Sequence, residues 1–492
     1  MGASPAYAVV IVGTGFSGIG MAIALKKAGM RNFVILEKAD RVGGTWRENT
    51  YPGCACDIRS HLYSFSFEPK ADWSREFAPQ PEILGYIEHC VNKYGLAPHI
   101  RFNTEVTGAE YDDATATWQV SSADGGLVRG HALVLGQGPL HQPSIPELPG
   151  LERFEGTAFH SAQWDHDHDL TGKRVAVIGT GASAIQFVPR IAPKVAHLTV
   201  FQRTAPWILP RPDRAITERR KRRYAKIPLA RLAHRNLIYW LQESFVLGFE
   251  HPNLIKAAER LGRAHIAHQV GDPELRRKLT PGYTLGCKRT LVSSDYYPTF
   301  NRPNVALETA GIAEIRERSI VTGDGREIEV DTIIFGTGFH VTEAMAKAHI
   351  VGRNGLKIQD AWRDGITAHL GTTVTGFPNL FFLVGPNTGL GHNSMVFMIE
   401  AQVRYIVGCL RLVARSGAAA IEVRPDVQDR FNDWVRDKSR GSVWLRGGCM
   451  SWYLDSEGVN RSLWPASTVS FWLRMRRVRR ADFMLEPQGA TS

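Results

Sequence analysis

Two short aliphatic runs, each leading straight into a glycine-rich turn, constrain this chain's fold more than any other feature. Val9-Val-Ile-Val12 leads into Gly13-Thr-Gly15-Phe-Ser17-Gly18 and then an apolar helix. Val175-Ala-Val-Ile178 leads into Gly179-Thr-Gly181-Ala-Ser183-Ala184 and another. In such a unit the first glycine permits the tight strand-to-helix turn, and the second lets backbone approach a pyrophosphate. The third position must be small so that helix and strand pack closely, which Ala184 also satisfies. Amides at the start of each helix then hold the anionic phosphates. Two units in one chain imply two dinucleotides held together, and hence electron transfer between them.

The residue ending the next strand separates the two units. Asn32-Phe-Val-Ile-Leu-Glu37 ends on a carboxylate 24 positions after Gly13. A carboxylate there accepts hydrogen bonds from ribose hydroxyls and repels a 2′-phosphate. His197-Leu-Thr-Val-Phe-Gln-Arg203 ends on a guanidinium, again 24 positions after its first glycine. Its fork suits a dianionic 2′-phosphate. The first site is expected to take FAD, and the second NADP rather than NAD; the first loop does not by itself dictate a flavin, which rests on the segment entering the second unit.

At 492 residues the chain has room for two or three domains, and 43% hydrophobic with 22% charged content is ordinary for a globular enzyme. Cys54, Cys56, Cys90, Cys287, Cys409 and Cys449 are scattered, so no disulfide framework is expected and a reducing, cytoplasmic setting is the simpler reading. Cys54-Ala-Cys56 reads as a pair of small loop residues. Val9 to Val12 enters a phosphate loop at once, so it is not a secretory signal. The uncharged run Ile366 to Ile399 is broken by Gly376, Pro378, Pro386 and Gly389, which fits strand, loop and helix start better than a membrane span. Net charge is +11, with basic runs at Glu218 to Arg223 and Arg474 to Arg480. No nucleic-acid motif accompanies either, so both read as solvated surface. Weak peripheral membrane contact is left open for the second run, where Phe471 and Trp472 adjoin.

The expected fold class is α/β, with two Rossmann-like dinucleotide-binding domains (FAD and NADP) and a helical insert in the NADP domain. Residues 1–140 form the first part of the FAD domain, and the proline-rich 141–151 is a linker. The NADP domain occupies 152–212 and 286–372, interrupted by a helical subdomain over 213–285. Residues 373–492 return to the FAD domain and end in a C-terminal loop region.

The segment entering the second unit, Phe154-x-Gly156-x3-His160-x3-Trp164-Asp165, narrows the function. Lying between two dinucleotide loops, it resembles the fingerprint of Baeyer–Villiger monooxygenases, flavoproteins that use FAD and NADPH. The resemblance spans nearly the whole chain and includes Gly43-Gly44-Thr45-Trp46, Tyr51-Pro-Gly53 with Asp57, Gln202-Arg-Thr204, Lys288-Arg289, Asp331 to Phe339 and Ser451-Trp-Tyr453. Trp164-Asp165 favours this branch over the related amine- and sulfide-oxidising enzymes. Gly136-Gln-Gly138 departs from the family's usual Gly-Thr/Ser-Gly turn, a change expected to bear on the hinge and not on the cofactor site.

The resemblance implies a ketone and dioxygen as substrates. NADPH reduces the flavin, dioxygen adds to it as a peroxide, and the peroxide attacks the carbonyl while deprotonated. That chemistry needs a fixed cation in a dry site. By resemblance the cation is Arg289, held by Asp57; an arginine suits because it does not lose its proton. Gly44, Thr45, Trp46 and Tyr63 would surround the flavin, with Val106 by the adenine. Arg203, Thr204 and Lys288 would converge on the 2′-phosphate. His160 is expected to couple domain motion to NADPH handling, Trp164 to pack, and Trp452 with Tyr453 to lie in a loop closing the substrate pocket. His166 and His168 lack a matching remote cluster, so no metal is expected. Oxidation of sulfur or nitrogen remains the alternative. A disulfide reductase would need a Cys-x4-Cys beside the flavin, which Cys54-Ala-Cys56 does not provide.

Overall fold

The computed structural model describes residues 6–250, 252–341 and 348–487. The outermost ends of the expected FAD-domain segments, and six positions of 286–372, lie outside the described residues.

Tyr7–Val12 is an inner strand of the first sheet, parallel to Phe33–Leu36 on one side and Leu127–Leu135 on the other. Its last four residues are buried, and a strand covered on both faces is aliphatic throughout instead of alternating. Ile100–Arg101 extends the sheet beyond Phe33–Leu36, and Leu380–Phe382 pairs in parallel with Leu127–Leu135. An antiparallel pair, Val106–Asp112 and Thr117–Ser122, leads to the far edge. Helices Phe16–Lys27 and Met395–Ser416 pack against each other in the core beside the sheet.

The first unit takes the chain back earlier than expected. Ile350–Val351 pairs with Ala109 and Glu110 of the first sheet. Ile358, Trp362, Ile366 and Ala368 then fill the core beneath it, alongside Val10, Val34 and Leu133. The return therefore lies near residue 350 instead of 373, because these apolar side chains complete the first core.

The second unit is a parallel sheet ordered Val305–Glu308, His197–Phe201, Arg174–Ile178, Thr332–Phe335, Thr157–His160. A meander of Ile312–Ile315, Ser319–Thr322 and Glu327–Glu329 packs on it through Ile315 and Ile320. The insert leaves after Ile208–Leu209 and returns at Leu291–Val292, and these two short strands pair, clamping its base. Between them the chain is helical, over Glu218–Lys226, Pro228–Glu243, Phe245–Glu250, Pro252–Gln269 and Pro273–Leu279.

The linker is pinned to the second unit. Ser144 N–H donates to the Gly338 carbonyl (2.9 Å), His340 N–H to that of Gln142 (3.0 Å), and Pro143 bridges Phe339. Gly136 and Gly336 occupy matching places in the two units. Each donates its N–H to the end of the strand before its phosphate loop, Val12 (2.9 Å) and Ile178 (2.8 Å) respectively. Gln137 leaves that packing undisturbed.

One expectation about the cysteines is overturned. Cys287 and Cys449 form a disulfide, with Cα atoms 6.1 Å apart across 162 positions of sequence. Linear spacing carries no signal for a pair brought together by the end of the insert and a late loop. Cys54, Cys56, Cys90 and Cys409 are free and buried.

Candidate active site at the junction of the two units

The phosphate loops separate glycines that the fold needs from glycines that it does not. Gly13 and Gly179 adopt φ of +97° and +105°, where a side chain is strained. A Cβ on Gly18 would fall 1.9 Å from the Gly13 carbonyl oxygen. Gly15, at φ −74°, is unstrained, and a Cβ there would meet only Gly44 Cα at 3.7 Å. Gly181 is similar, with Gly336 O at 3.8 Å. The protein does not itself require glycine at 15 or 181, whereas a pyrophosphate lying on the loop does. Both loops fit a dinucleotide by this test. Ser17 is buried in the first helical turn, and Ser183 directly precedes helix Ala184–Ile191.

Glu37 is buried at the end of its strand. One carboxylate oxygen accepts from Thr14 N–H (3.0 Å) and Oγ1 (2.5 Å); the other accepts from Ala39 N–H (3.1 Å) and pairs with Arg47 (2.9 Å). Thr104 N–H donates to the Glu37 carbonyl (2.9 Å), which brings the approach to Val106 beside this strand end. Gly44, at φ +54°, lies so near Gly15 that a Cβ would stand 3.0 Å from its Cα. Helix Thr45–Glu48 follows, and Trp46 Nε1 donates to Tyr63 Oη at 3.2 Å with the rings edge-on. Gly44, Thr45, Trp46 and Tyr63 thus gather at the first loop.

At the second unit, Arg203 is exposed just beyond His197–Phe201 and Lys288 is half-buried. Burial, and then the charge of Arg203, hold the Lys288 ammonium below its usual pKa. Neither has an ion-pair partner among the described residues. Two neighbouring cations without a protein counter-ion suit a multiply charged anion. Thr180 Oγ1 donates to the Thr204 carbonyl (3.4 Å), tying Thr204 to the loop.

Between the units, Arg289 reaches Asp57 Oδ2 through Nε (2.7 Å) and Nη2 (2.6 Å), and Nη1 donates to the Leu390 carbonyl (3.2 Å). The Asp57 charge raises the already high pKa of Arg289, so the guanidinium is permanently charged. The Asp57 segment is fastened to the second unit by Gln186, a residue the sequence reading missed. Gln186 accepts from Ala55 N–H (3.1 Å), donates to Ala55 O (3.1 Å) and accepts from Tyr51 Oη (3.3 Å). Its only trace in sequence is a lone amide in an otherwise apolar helix start. Tyr453 is buried close enough for the Arg289 charge to act on its phenol, which burial pushes up to about 12. Trp452 is half exposed, edge-on to it. The Cys287–Cys449 disulfide ties this late loop to the segment bearing Arg289. Burial pushes the Cys54 thiol up to about 12 as well, which makes it a poor nucleophile.

The fingerprint residues divide by position. Phe154, like Leu148 and Leu151, packs against the core of the second unit, and a Cβ on Gly156 would strike Asp331 O at 2.5 Å. Trp164 packs edgewise on Phe159 and against Phe187. Asp165 Oδ1 accepts from Asp167 N–H (3.0 Å) and His168 N–H (3.2 Å). His160 is buried at the end of its strand, and Nδ1 accepts from Ala162 N–H (3.1 Å). Burial lowers its pKa, and its ring lies edge-on to Phe339 in the turn that grips the linker. His166 bonds Thr50 (2.8 Å) and His168 bonds Thr332 (2.8 Å).

Residues 10–228 match the family described as pyridine nucleotide-disulphide oxidoreductase. A Baeyer-Villiger monooxygenase of Pseudomonas aeruginosa is 52% identical over 465 residues, covering 94% of this chain and 88% of the relative. Another, of Streptomyces coelicolor, is 45% identical over 485 residues, covering 98% and 93%. The closed crystal structure of cyclohexanone monooxygenase matches with a TM-score of 0.89 at 30% identity, covering 99% of this chain and 100% of that one. With both phosphate loops, the cation pair and the Arg289–Asp57 junction in place, the chain belongs to the Baeyer–Villiger monooxygenases, flavoproteins that use FAD and NADPH.

Proposed function

We propose that this protein inserts one oxygen atom of dioxygen beside a ketone carbonyl, giving an ester or lactone, with Arg289 as the fixed cation at the reacting centre. FAD, reduced by NADPH, supplies the activation of dioxygen when both are bound. The ion pair of Arg289 with Asp57, at the meeting of the two units, is the observation that carries this reading. Arg289 stabilises negative charge developing on oxygen, and Asp57 with the Leu390 carbonyl fixes where its fork points. Arg203, Thr204 and Lys288 receive the 2′-phosphate. Gly13, Gly15, Ser17, Gly18, Glu37, Gly44, Thr45, Trp46, Tyr63 and Val106 hold the first dinucleotide, and Gly179, Gly181 and Ser183 the second. His160, between the strand end and the linker-gripping turn, transmits domain motion, with Phe154, Gly156, Trp164 and Asp165 shaping that segment.

Relatives named for cyclohexanone and steroid oxidation support a ketone as substrate. No described helix is long and apolar enough to cross a membrane. The proposed setting is cytoplasmic on the ground of the four free thiols Cys54, Cys56, Cys90 and Cys409, against which the single Cys287–Cys449 bond stands. Exposed Arg476, Arg477, Arg479 and Arg480 offer weak peripheral contact at the C-terminal run. The test is incubation of FAD-loaded protein with NADPH, labelled dioxygen and a panel of linear, cyclic and aryl ketones plus a sulfide. One labelled oxygen in an ester or lactone, absent in Arg289→Ala, is the expected result. Sulfoxide alone would move the protein to the heteroatom-oxidising branch.

A further inference from the structure

The helical insert carries a surface that the Arg289 site does not use. Helix Pro228–Glu243 turns Arg235 and Ile238 inward. It leaves Leu229 (73% exposed), Leu232 (52%), Leu237 (58%), Trp240 (60%) and Leu241 (53%) in solvent. Leu229, Leu237 and Trp240 share one stripe of the helix, and Leu232 and Leu241 flank it on opposite sides, all on the half turned away from Arg235 and Ile238. Ile227 and Phe245, at the two ends of the helix, are also about half exposed. An exposed apolar surface of this extent, broken by the exposed Asn236, marks a contact surface.

The preceding helix, Glu218–Lys226, adds an independent feature. Arg219, Arg222, Arg223 and Lys226 are exposed and line one cleft that ends at Ile227, where the apolar face begins. Lys221 pairs with Glu218 and Arg220 with Glu76. The four cleft cations have no carboxylate partner among the described residues. A basic cleft thus adjoins an apolar face that includes an exposed tryptophan.

We propose that this face of the insert docks on an anionic lipid bilayer. Trp240 and the leucines enter the boundary between headgroups and acyl chains, and the four cations bind lipid phosphates. Charge selects this occupant over a second copy of the chain. A second copy, at a net charge of +11, would bring more positive charge against the cleft and leave its cations unpaired. An anionic bilayer complements both the apolar face and the basic cleft. Attachment is in the plane of the surface, since no described helix is suited to span it.

The test is co-sedimentation of the FAD-loaded protein with phosphatidylcholine vesicles, either pure or containing about 30 mol% phosphatidylglycerol as the anionic component. Binding is expected to the mixed vesicles and not to the pure ones. Arg219→Glu/Arg222→Glu/Arg223→Glu should lower the bound fraction about tenfold, because each surface cation adds to the attraction. Leu229→Ser/Trp240→Ser should do the same. Both variants should keep the parent's melting temperature and NADPH oxidation rate. Arg476→Glu/Arg477→Glu/Arg479→Glu should lower binding by only about twofold, since that run lies outside the insert and adds only weak peripheral contact. Absence of binding to mixed vesicles overturns the proposal. So does binding abolished only by the C-terminal variant, or equal binding to both vesicle types. A lipid-free dimer dissociated by Leu229→Ser/Trp240→Ser would overturn it as well, assigning the face to a second copy.

Discussion

Asp57 and Arg289, 232 positions apart in sequence, meet at a single carboxylate oxygen, which receives Nε at 2.7 Å and Nη2 at 2.6 Å. Asp57 belongs to a loop of the first unit that Gln186 fastens to the second. Arg289 follows the insert, and its remaining nitrogen reaches the Leu390 carbonyl. Three separate parts of the chain therefore fix one guanidinium, and a change in their relation re-aims it. Arg289→Ala should lower ester formation by about 10²- to 10³-fold, the usual effect of removing one charge-stabilising donor. Arg289→Lys should do nearly as badly, because it keeps the charge and loses the fork. Full ester formation by Arg289→Lys would show that charge alone suffices and that the orientation by Asp57 is immaterial.

The Arg203 and Lys288 pair bears on cofactor choice. Hydrogen bonds to a charged group contribute about 1.5–3 kcal/mol, so removing either cation should lower kcat/KM for NADPH about 10- to 100-fold. The value for NADH should stay within about twofold, since NADH lacks the 2′-phosphate. Steady-state kinetics of Arg203→Ala and Lys288→Ala with both cofactors decides this. An equal loss for the two cofactors would place the cations on the shared pyrophosphate.

The glycines of the first loop should separate folding from binding. Gly18→Ala forces a methyl to within 1.9 Å of the Gly13 carbonyl oxygen and should lower the melting temperature of the protein stripped of FAD. Gly15→Ala meets only ordinary contact at 3.7 Å, so the stripped protein should melt unchanged while FAD retention falls. The two effects are read by thermal melting before and after FAD addition. Loss of apo stability in Gly15→Ala would remove the argument that position 15 is kept bare for a ligand.

The parts of the site written locally were legible in sequence. Glu37 and Arg203 end strands at a fixed distance from their loops, and that distance is set by one strand–helix–strand unit. Asp57 and Arg289 were found by likeness to a family, since no local pattern links positions so far apart. Gln186, the Leu390 carbonyl and the Cys287–Cys449 disulfide each depend on segments that meet only in the folded chain. Strand Ile350–Val351 was missed for a related reason. A two-residue edge strand has no periodicity of its own, and its place comes from pairing with Ala109 and Glu110. The insert's helices were legible by spacing, but the apolar face of Pro228–Glu243 was not. Periodicity locates an amphipathic stripe without saying what covers it.

Two buried histidines give the protein an acid-sensitive stability. Burial, then the charges of His234, Arg220, Arg231 and Arg235, lower the His61 pKa to about 3. Burial and Arg474 lower that of His369 to about 4. Both lie below the ordinary value of about 6.5, so on unfolding in mild acid each histidine takes up a proton that the fold excludes. Their stabilising effect is intact above about pH 6.5 and is lost progressively as pH falls toward about 4, at about 2 kcal/mol each by pH 5. The melting temperature should therefore drop between pH 7.5 and pH 5, and His369→Leu should reduce that drop. An identical drop in His369→Leu would assign the acid sensitivity elsewhere.

The Cys287–Cys449 disulfide joins two segments that also meet through a backbone hydrogen bond from Thr284 N–H to the Gly447 carbonyl (2.9 Å). Cys287 immediately precedes Lys288 and Arg289, and Cys449 lies a few residues before Tyr453, whose buried phenol interacts with the Arg289 charge. Cutting the tether frees the late loop from the cation, while Asp57 and Leu390 still hold Arg289 itself. Cys449→Ser should thus lower stability by about 2–4 kcal/mol, as removal of a cross-link commonly does. It should raise KM for the ketone while leaving FAD retention and KM for NADPH near the parent values. A dithiol added to the parent should reproduce both changes and should leave Cys449→Ser unaltered, because that variant has no bond to reduce. A dithiol effect of equal size on the two proteins would trace the change to another thiol and free the late loop from any dependence on the tether.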